Sequence, residues 1–459
     1  MVLGILILFI FIIISSITVY RIQLGFSLIL ACRLLVPAIV RVPLGIKDLS
    51  LNSCLTLVLI GVFLYKTMIA KEKMLRIPSY FLNGVILFAL VLFILCFFAG
   101  EMTLKIRIST LIQMIYTEFT LCFIGWCIFK DEYDISRFAK IIAWTVFLIT
   151  FYGCVCYITH SNPYVSLVNA LYNQDDSMTD RFSQEERAGL EGRVLGTMMH
   201  PLTWGGSCVL LFFFFIKRWD LKRWIQVFLL ILLFVNVIFS GSRSALLAMI
   251  IGIFYYTLKS SAKMKFGIIK YSVIGAFLTL IALYQIPALT KYQDFFESTV
   301  FFWDSTLKVN QDINGSSASM RYDQLLGSFK MIERSPLVGL GLGYGKYYNA
   351  TYGFHPVLMG FESLVFLSLV ESGYVGFIMW LYLFFVLLKN TSIVNRYFKT
   401  NNKSLILKSD FAITQATIFS YFFFCIFTGI QSTLYLFLIL YVIQIKSLML
   451  VPKKKVLVL

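Results

Sequence analysis

Residues 225–258 read IQVFLLILLFVNVIFSGSRSALLAMIIGIFYYTL. The run is apolar from end to end except at Ser240-Gly241-Ser242-Arg243-Ser244. Each half is close to the length that crosses a bilayer. Hydrocarbon offers no partner for backbone N–H and C=O groups, so both halves must be helices, meeting in a tight hairpin. The pattern recurs along the whole chain. Hydrophobic residues make up 59% of it and charged residues 14%, against about 25% charged in a soluble domain. A β-barrel would show alternating segments of about ten residues, and none is present. The fold class is therefore all-α: a polytopic transmembrane helical bundle forming one integral membrane domain over 1–459.

About 12–13 spans are legible, near 2–19, 24–40, 51–65, 80–98, 108–129, 139–159, 200–216, 225–240, 244–258, 267–287, 362–388, 411–429 and 433–450. The N-terminal run lacks a basic leader and a clear cleavage site, so it reads as the first span. The formal net charge of +17 comes from Lys and Arg in short loops, which is the positive-inside pattern rather than a nucleic-acid surface. Lys66, Lys71, Lys73 and Arg76 form one such loop. Lys217, Arg218, Lys222 and Arg223 form the next, then Lys259, Lys263 and Lys265, then Arg396, Lys399, Lys403 and Lys408, with Lys453–Lys455 at the tail. With every span counted, these share the cytoplasmic side and the N-terminus lies outside. An even count with the N-terminus inside stays open. Two long loops then face outward, 160–199 and 288–361. The second has apolar spacing suited to short amphipathic helices at the membrane surface. The nine cysteines show no metal spacing and no disulfide framework. No sequence repeat of the transporter kind is evident.

Polar chemistry concentrates in Arg321–Gly376, RYDQLLGSFKMIERSPLVGLGLGYGKYYNATYGFHPVLMGFESLVFLSLVESGYVG. Gly339, Gly341, Gly343 and Gly345 alternate, but their spacing is neither a dinucleotide fingerprint nor a P-loop. They read as a flexible turn returning a surface helix to the membrane. Glu371 lies inside a presumed span, where a carboxylate marks either function or helix packing beside Gly373 and Gly376. Arg33 is a second intramembrane charge. His355 and Glu362 are candidate bases toward a hydroxyl. The three histidines offer no metal-ligand spacing, so no metal and no soluble cofactor is implied. Arg243 stands in the Ser/Gly turn with Ser242 and Ser244, where a helix N-terminus and a guanidinium fork suit a diphosphate or a carboxylate. Its plainer reading is an arginine snorkelling to the interface. Arg193, in Gly192-Arg193-Val194-Leu195-Gly196, and Arg321 are further outward cations; a solvated loop charge is the plainer reading of each.

Three stretches in order, GRVLGTMMHPLTWGG at 192–206, FSGSRSALLAM at 239–249, and the Arg321 stretch with SPLVGLGLGYG and ESLVFLSLVESGYVG, resemble the O-antigen ligase/polymerase family. The resemblance covers about 190–390. It implies a membrane-embedded glycosyltransferase at the outer face of the bacterial inner membrane, using undecaprenyl-diphosphate-linked oligosaccharides and no nucleotide sugar. Its polymerase branch moves the growing chain onto a new lipid-linked repeat unit, with a chain-length regulator as a possible partner. Its ligase branch moves the finished chain to lipid A–core. Members commonly carry His followed by Asn or Ser at the re-entry segment. Here Phe361-Glu362 stands there and His355 lies six residues earlier, a departure that points to the polymerase branch. In that reading Arg193, Arg243 and Arg321, with Ser242 and Ser244, bind the diphosphate, and Glu362, His355 or Glu371 handles the acceptor hydroxyl. The rival readings are a ligase and a lipid-linked oligosaccharide flippase.

Overall fold

The computed structural model describes residues 2–42, 49–98, 100–172, 177–185, 192–216, 221–260, 290–301, 318–400, 406–430 and 432–450, with isolated positions at 265–267, 270, 281, 285 and 304. The chain is a largely helical, polytopic membrane protein. Among the described residues, six helices are long and apolar enough to cross a membrane: α3 (Leu51–Ile69), α4 (Ser79–Phe98), α5 (Leu104–Ile128), α6 (Glu132–Thr159), α15 (Leu364–Arg396) and α16 (Phe411–Thr428). Shorter apolar helices stand among them: α1 (Val2–Tyr20), α2 (Ile22–Leu35), α9 (Pro201–Phe215), α10 (Arg223–Phe239), α11 (Arg243–Lys259) and α17 (Leu434–Leu450). Every expected span falls on one of these helices except 267–287, which lies almost wholly outside the described residues. The connecting segments carry α7 (Pro163–Leu171), α8 (Ser177–Gln184), α12 (Thr290–Val300), α13 (Ala318–Met331) and α14 (Tyr344–Tyr352).

Burial follows from composition. α9 and α17 are apolar all round and are buried on nearly every face, so they form the centre. The helices around them turn Phe93, Phe97, Leu148, Phe151 and Ile231 outward, where lipid rather than water meets them. The centre is set by close packing. A Cβ on Gly206 would lie 2.5 Å from the Phe424 ring, and one on Gly84 would lie 2.6 Å from Val386 Cγ1. α11 runs antiparallel to α16: Ser420 Oγ donates to Ala248 O at 2.7 Å, and Tyr255 Oη donates to Gln415 Oε1 at 3.2 Å.

The bundle has two unlike ends. At one, Trp126 Nε1 donates to Arg76 O, Gln226 Nε2 to Phe215 O, and Lys446 Nζ to Phe129 O. The described basic residues Lys66, Lys73, Arg76, Lys222, Arg223, Lys259 and Arg396 belong to this end. At the other, Thr197 Oγ1 donates to Leu34 O, Arg193 Nε to Ser240 O, and Ser363 Oγ to Ile426 O. The chain is at the basic end at Lys259. By α12 it is at the opposite end, where Tyr157 and Tyr292 hydroxyls pair at 3.0 Å and Ser298 O meets Arg243.

α15 is broken. Gly373 has φ 62° and ψ −163°, a region open essentially to glycine alone. The break strips helical partners from backbone groups that lipid cannot satisfy. The segment Pro336–Gly345 supplies them. Tyr374 N donates to Pro336 O (2.9 Å) and Val375 N to Leu337 O (3.3 Å); Leu340 N donates to Val370 O (2.8 Å) and Gly341 N to Glu371 O (3.0 Å). The approach is backbone on backbone. A Cβ on Gly339 would lie 2.6 Å from Gly373 N, and one on Gly373 would lie 2.5 Å from Leu337 O. The alternating glycines are thus a docked strip rather than the flexible turn that composition suggests. They are buried: a side chain on Gly339 would hold two backbones apart, and a Cβ on Gly341, Gly343 or Gly345 would meet the Arg107, Thr110 or Leu367 side chain within 3 Å.

Candidate functional site

The Ser240–Ser244 turn is built by its own residues. Gly241 takes φ 59°, which an L side chain rarely adopts. Ser242 is the N-cap of α11: its Oγ accepts from Ala245 N at 3.3 Å and lies 3.2 Å from Ser244 Oγ. Arg193 reaches the same turn from the preceding segment. It is 5% exposed, donates from Nε to Ser240 O at 3.4 Å, stands 3.7 Å from Glu185 Oε2, and lies 5.3 Å over the Phe182 ring. Gly241 leaves it room, since a Cβ there would come 3.2 Å from Arg193 Cγ. Arg193 also lines a small cavity with Tyr157, His160, Asn162 and Gly192. Arg243, half-buried, donates to Ser298 O at 3.3 Å. Two guanidiniums therefore flank one turn at the N-terminus of α11, where the first N–H groups and the helix dipole favour an anion.

Glu362 is exposed at the same level. Its neighbour Ser363 bonds Ile426 O near the end of α16, and a Cβ on Gly429 would lie 3.0 Å from Glu362 O. The antiparallel register of α11 on α16 carries Arg243 to that height as well. The hairpin leading to Glu362 is strained: Met359 and Phe361 take φ 52° and 55°. Such strain persists where surroundings over-determine it. His355 does so here. Its N–H and C=O exchange hydrogen bonds with Met359 (3.2 and 2.8 Å), and its Nδ1 accepts from Val357 N (3.1 Å) and Leu358 N (3.0 Å). With Nδ1 engaged by two amides the ring is the Nε2–H tautomer. Partial burial lowers its pKa from the ordinary 6.5.

Glu371 sits half-buried just before the break in α15, and its Oε1 accepts from Gly345 N at 3.2 Å, the first turn of α14. A second carboxylate in the bundle does the same for another helix. Glu118 lies on a π-turn of α5, Ile115–Phe119, and its Oε2 accepts from Tyr435 N at 2.7 Å, at the start of α17. Arg33 stands by it. It donates to Thr56 Oγ1 (2.8 Å) and Thr117 O (3.3 Å) and lies 4.9 Å over the Tyr435 ring. Glu118 was open to the same reasoning that singles out Glu371, since it is a lone carboxylate within an apolar run. Arg107 was not foreshadowed. It is buried against the glycine strip, 2.9 Å from where a Gly341 Cβ would stand. Arg321 is on α13, with Nη1 donating to Gln324 Oε1 at 2.9 Å. α13 crosses the broken helix further along, where Phe329 meets Tyr374.

Arg193, Arg243, Ser242, Ser244 and Glu362 thus share one end of the bundle, Glu371 and His355 organise the loops beside them, and Arg321 rides on a covering helix. None of the curated proteins compared matches the chain. Residues 228–381, from α10 through the break in α15, match the family model described as O-antigen ligase. With the multi-pass helical architecture, that match supports a polysaccharide-related membrane enzyme that meets lipid-linked glycans, and it is consistent with the resemblance to the O-antigen ligase/polymerase family over that third of the chain.

Proposed function

We propose that the protein is a glycosyltransferase that takes a glycan from undecaprenyl diphosphate and joins it to an acceptor hydroxyl at the outer face of the inner membrane. The observation that carries the reading is the pair Arg193 and Arg243 about the N-terminus of α11, at the end of the bundle that Glu362 shares. In the reaction the acceptor oxygen attacks the anomeric carbon. The bond from that carbon to the diphosphate breaks, and the lipid diphosphate leaves with the electron pair. The acceptor proton passes to Glu362. Arg193, Arg243 and the Ser242 and Ser244 hydroxyls take up the charge on the leaving diphosphate. A preorganised donor in that role is worth roughly 3–4 kcal/mol. Glu371 and His355 act one step back, by fixing α14 and the Phe361-Glu362 hairpin. Arg321 binds substrate from α13. The basic end faces the cytoplasm, as the charge rule requires. No nucleic acid takes part.

The family description favours a ligase, with lipid A–core as acceptor. Glu362, where a His-containing pair is common, favours a polymerase whose acceptor is the next lipid-linked repeat unit, with a chain-length regulator beside it. A deletion strain separates them by gel analysis of its surface glycan. Core without glycan, and long chains retained on the lipid carrier, identifies the ligase. Core bearing one repeat unit identifies the polymerase. Single lipid-linked units retained on the cytoplasmic face would identify a flippase and sink both.

A further inference from the structure

α14, YGKYYNATY, carries four tyrosines. Tyr344, Tyr348 and Tyr352 recur at every fourth position and so share one face. Their rings follow one another at centroid distances of 6.1 and 5.1 Å, and Tyr347 lies 6.4 Å from Tyr344. The row continues off the helix, with Tyr348 5.3 Å from His355 and 5.9 Å from Phe361. Tyr352 in this row is 67% exposed; Tyr347, on the adjacent face of α14, is 41% exposed, and Phe354, two residues past the helix, 73%. Apolar rings standing together in the open mark a binding surface. A membrane-interface belt is the competing use of tyrosine. α14 lacks what such a helix needs, since it has no Leu, Ile or Val to insert and carries Lys346, Asn349 and Thr351. Tyrosine instead pairs a flat apolar face with a hydroxyl at low entropic cost. That combination fits a pyranose ring, which has C–H bonds on its face and hydroxyls on its rim.

We infer that α14 is the platform on which the acceptor glycan stacks, with sugar rings against the open Tyr347, Tyr352 and Phe354 on the approach to Glu362. The inference rests on the glycosyltransferase reading for the direction of the chain. The row ends at Phe361, the residue before Glu362, whereas the arginine turn serves the diphosphate. Glu371 is the positioning residue of this platform, because its carboxylate holds the first turn of α14 to the broken helix.

The test uses the full chain in nanodiscs with two probes, the core oligosaccharide and the repeat-unit oligosaccharide released from the host's own surface glycan. Hydroxyl-radical footprinting should show Tyr347, Tyr352 and Phe354 reactive without sugar and protected by one probe, which also names the acceptor. The Tyr347→Ala/Tyr352→Ala pair should raise the acceptor KM about tenfold, the worth of roughly 1.4 kcal/mol of lost ring contact, with kcat and donor KM unchanged. Aromatic variants Tyr347→Phe and Tyr352→Phe, which keep the stacking face, should recover most of the affinity. Rings already shielded in nanodiscs but reactive in detergent would assign the row to the lipid interface and overturn the platform. So would an unchanged acceptor KM in the alanine pair. Sugar protection in a protein that transfers no glycan would keep the platform and overturn the glycosyltransferase reading instead.

Discussion

At the scale of single residues, two side chains separate chemistry from scaffolding. Glu371 accepts the Gly345 backbone N–H, and glutamine can do the same through its amide oxygen. Glu371→Gln is therefore expected to retain glycan transfer within a few-fold. A loss of about 10²-fold or more, the size of a missing general base, would make Glu371 catalytic rather than positioning. His355 holds its hairpin only while Nδ1 is unprotonated. Its pKa is lowered by burial, so the folded chain resists the proton that the unfolded chain accepts. The hairpin's contribution is complete above the ordinary value of 6.5 and is lost as pH falls through the lowered one. Amide exchange at Val357 and Leu358, corrected for its intrinsic pH dependence, should accelerate on acidification in the wild type. In His355→Asn, whose side chain makes the same kind of turn without titrating, it should not. Exchange that is flat with pH in both proteins would remove His355 from this role. Side-chain types made both residues candidates, but their partners were not readable. Gly345 is 26 residues from Glu371, and nothing in the spacing announces that they meet.

At the scale of elements, the helices were legible and the break in one of them was not. Apolar runs specify helix in lipid by backbone satisfaction alone, so composition suffices. The hairpin at Ser240–Ser244 was readable for the same reason, because no other cluster of polar residues interrupts that run. Gly373, however, lies within a run that is apolar before Glu371-Ser372 and after Gly373, and one glycine does not break a helix by itself. The signal was divided between Gly373 and Gly339, 34 residues earlier, each lying where the backbone around the other approaches. The π-turns, Tyr65–Ile69 at the end of α3 and Ile115–Phe119 in α5, leave no mark in composition either. Gly373→Ala should cost about 3 kcal/mol or more, from a backbone region closed to alanine and a clash with the Leu337 carbonyl. Thermal unfolding in detergent reads this directly. Gly61→Ala is the control, since a Cβ there meets nothing within 4 Å. Equal melting temperatures for the two variants would contradict the docked strip.

At the scale of the whole molecule, the two ends of the bundle differ in charge and in what they bring together. Charge placed the basic loops on one side from sequence, and the hydrogen bonds bring those described to one end and the arginine turn to the other. An impermeant thiol reagent should label Ser161→Cys in intact spheroplasts and Lys73→Cys only after lysis; the native thiols are buried or half-buried. The reverse pattern would invert the protein in the membrane and leave the proposed diphosphate site facing the cytoplasm. What sequence could not supply was the meeting of segments at that end, because Arg193, Arg243 and Glu362 come from three stretches brought level by the packing of α11 on α16. The measurement that bears most directly on this meeting is glycan transfer by the reconstituted protein, following release of undecaprenyl diphosphate. Wild type should release it one for one with each glycan joined to acceptor. Arg243→Ala should lower kcat by about 10²–10³-fold, as loss of a preorganised charge partner does, and leave acceptor KM unchanged. Transfer at the wild-type rate by Arg243→Ala, or transfer with no lipid diphosphate released, would contradict the account.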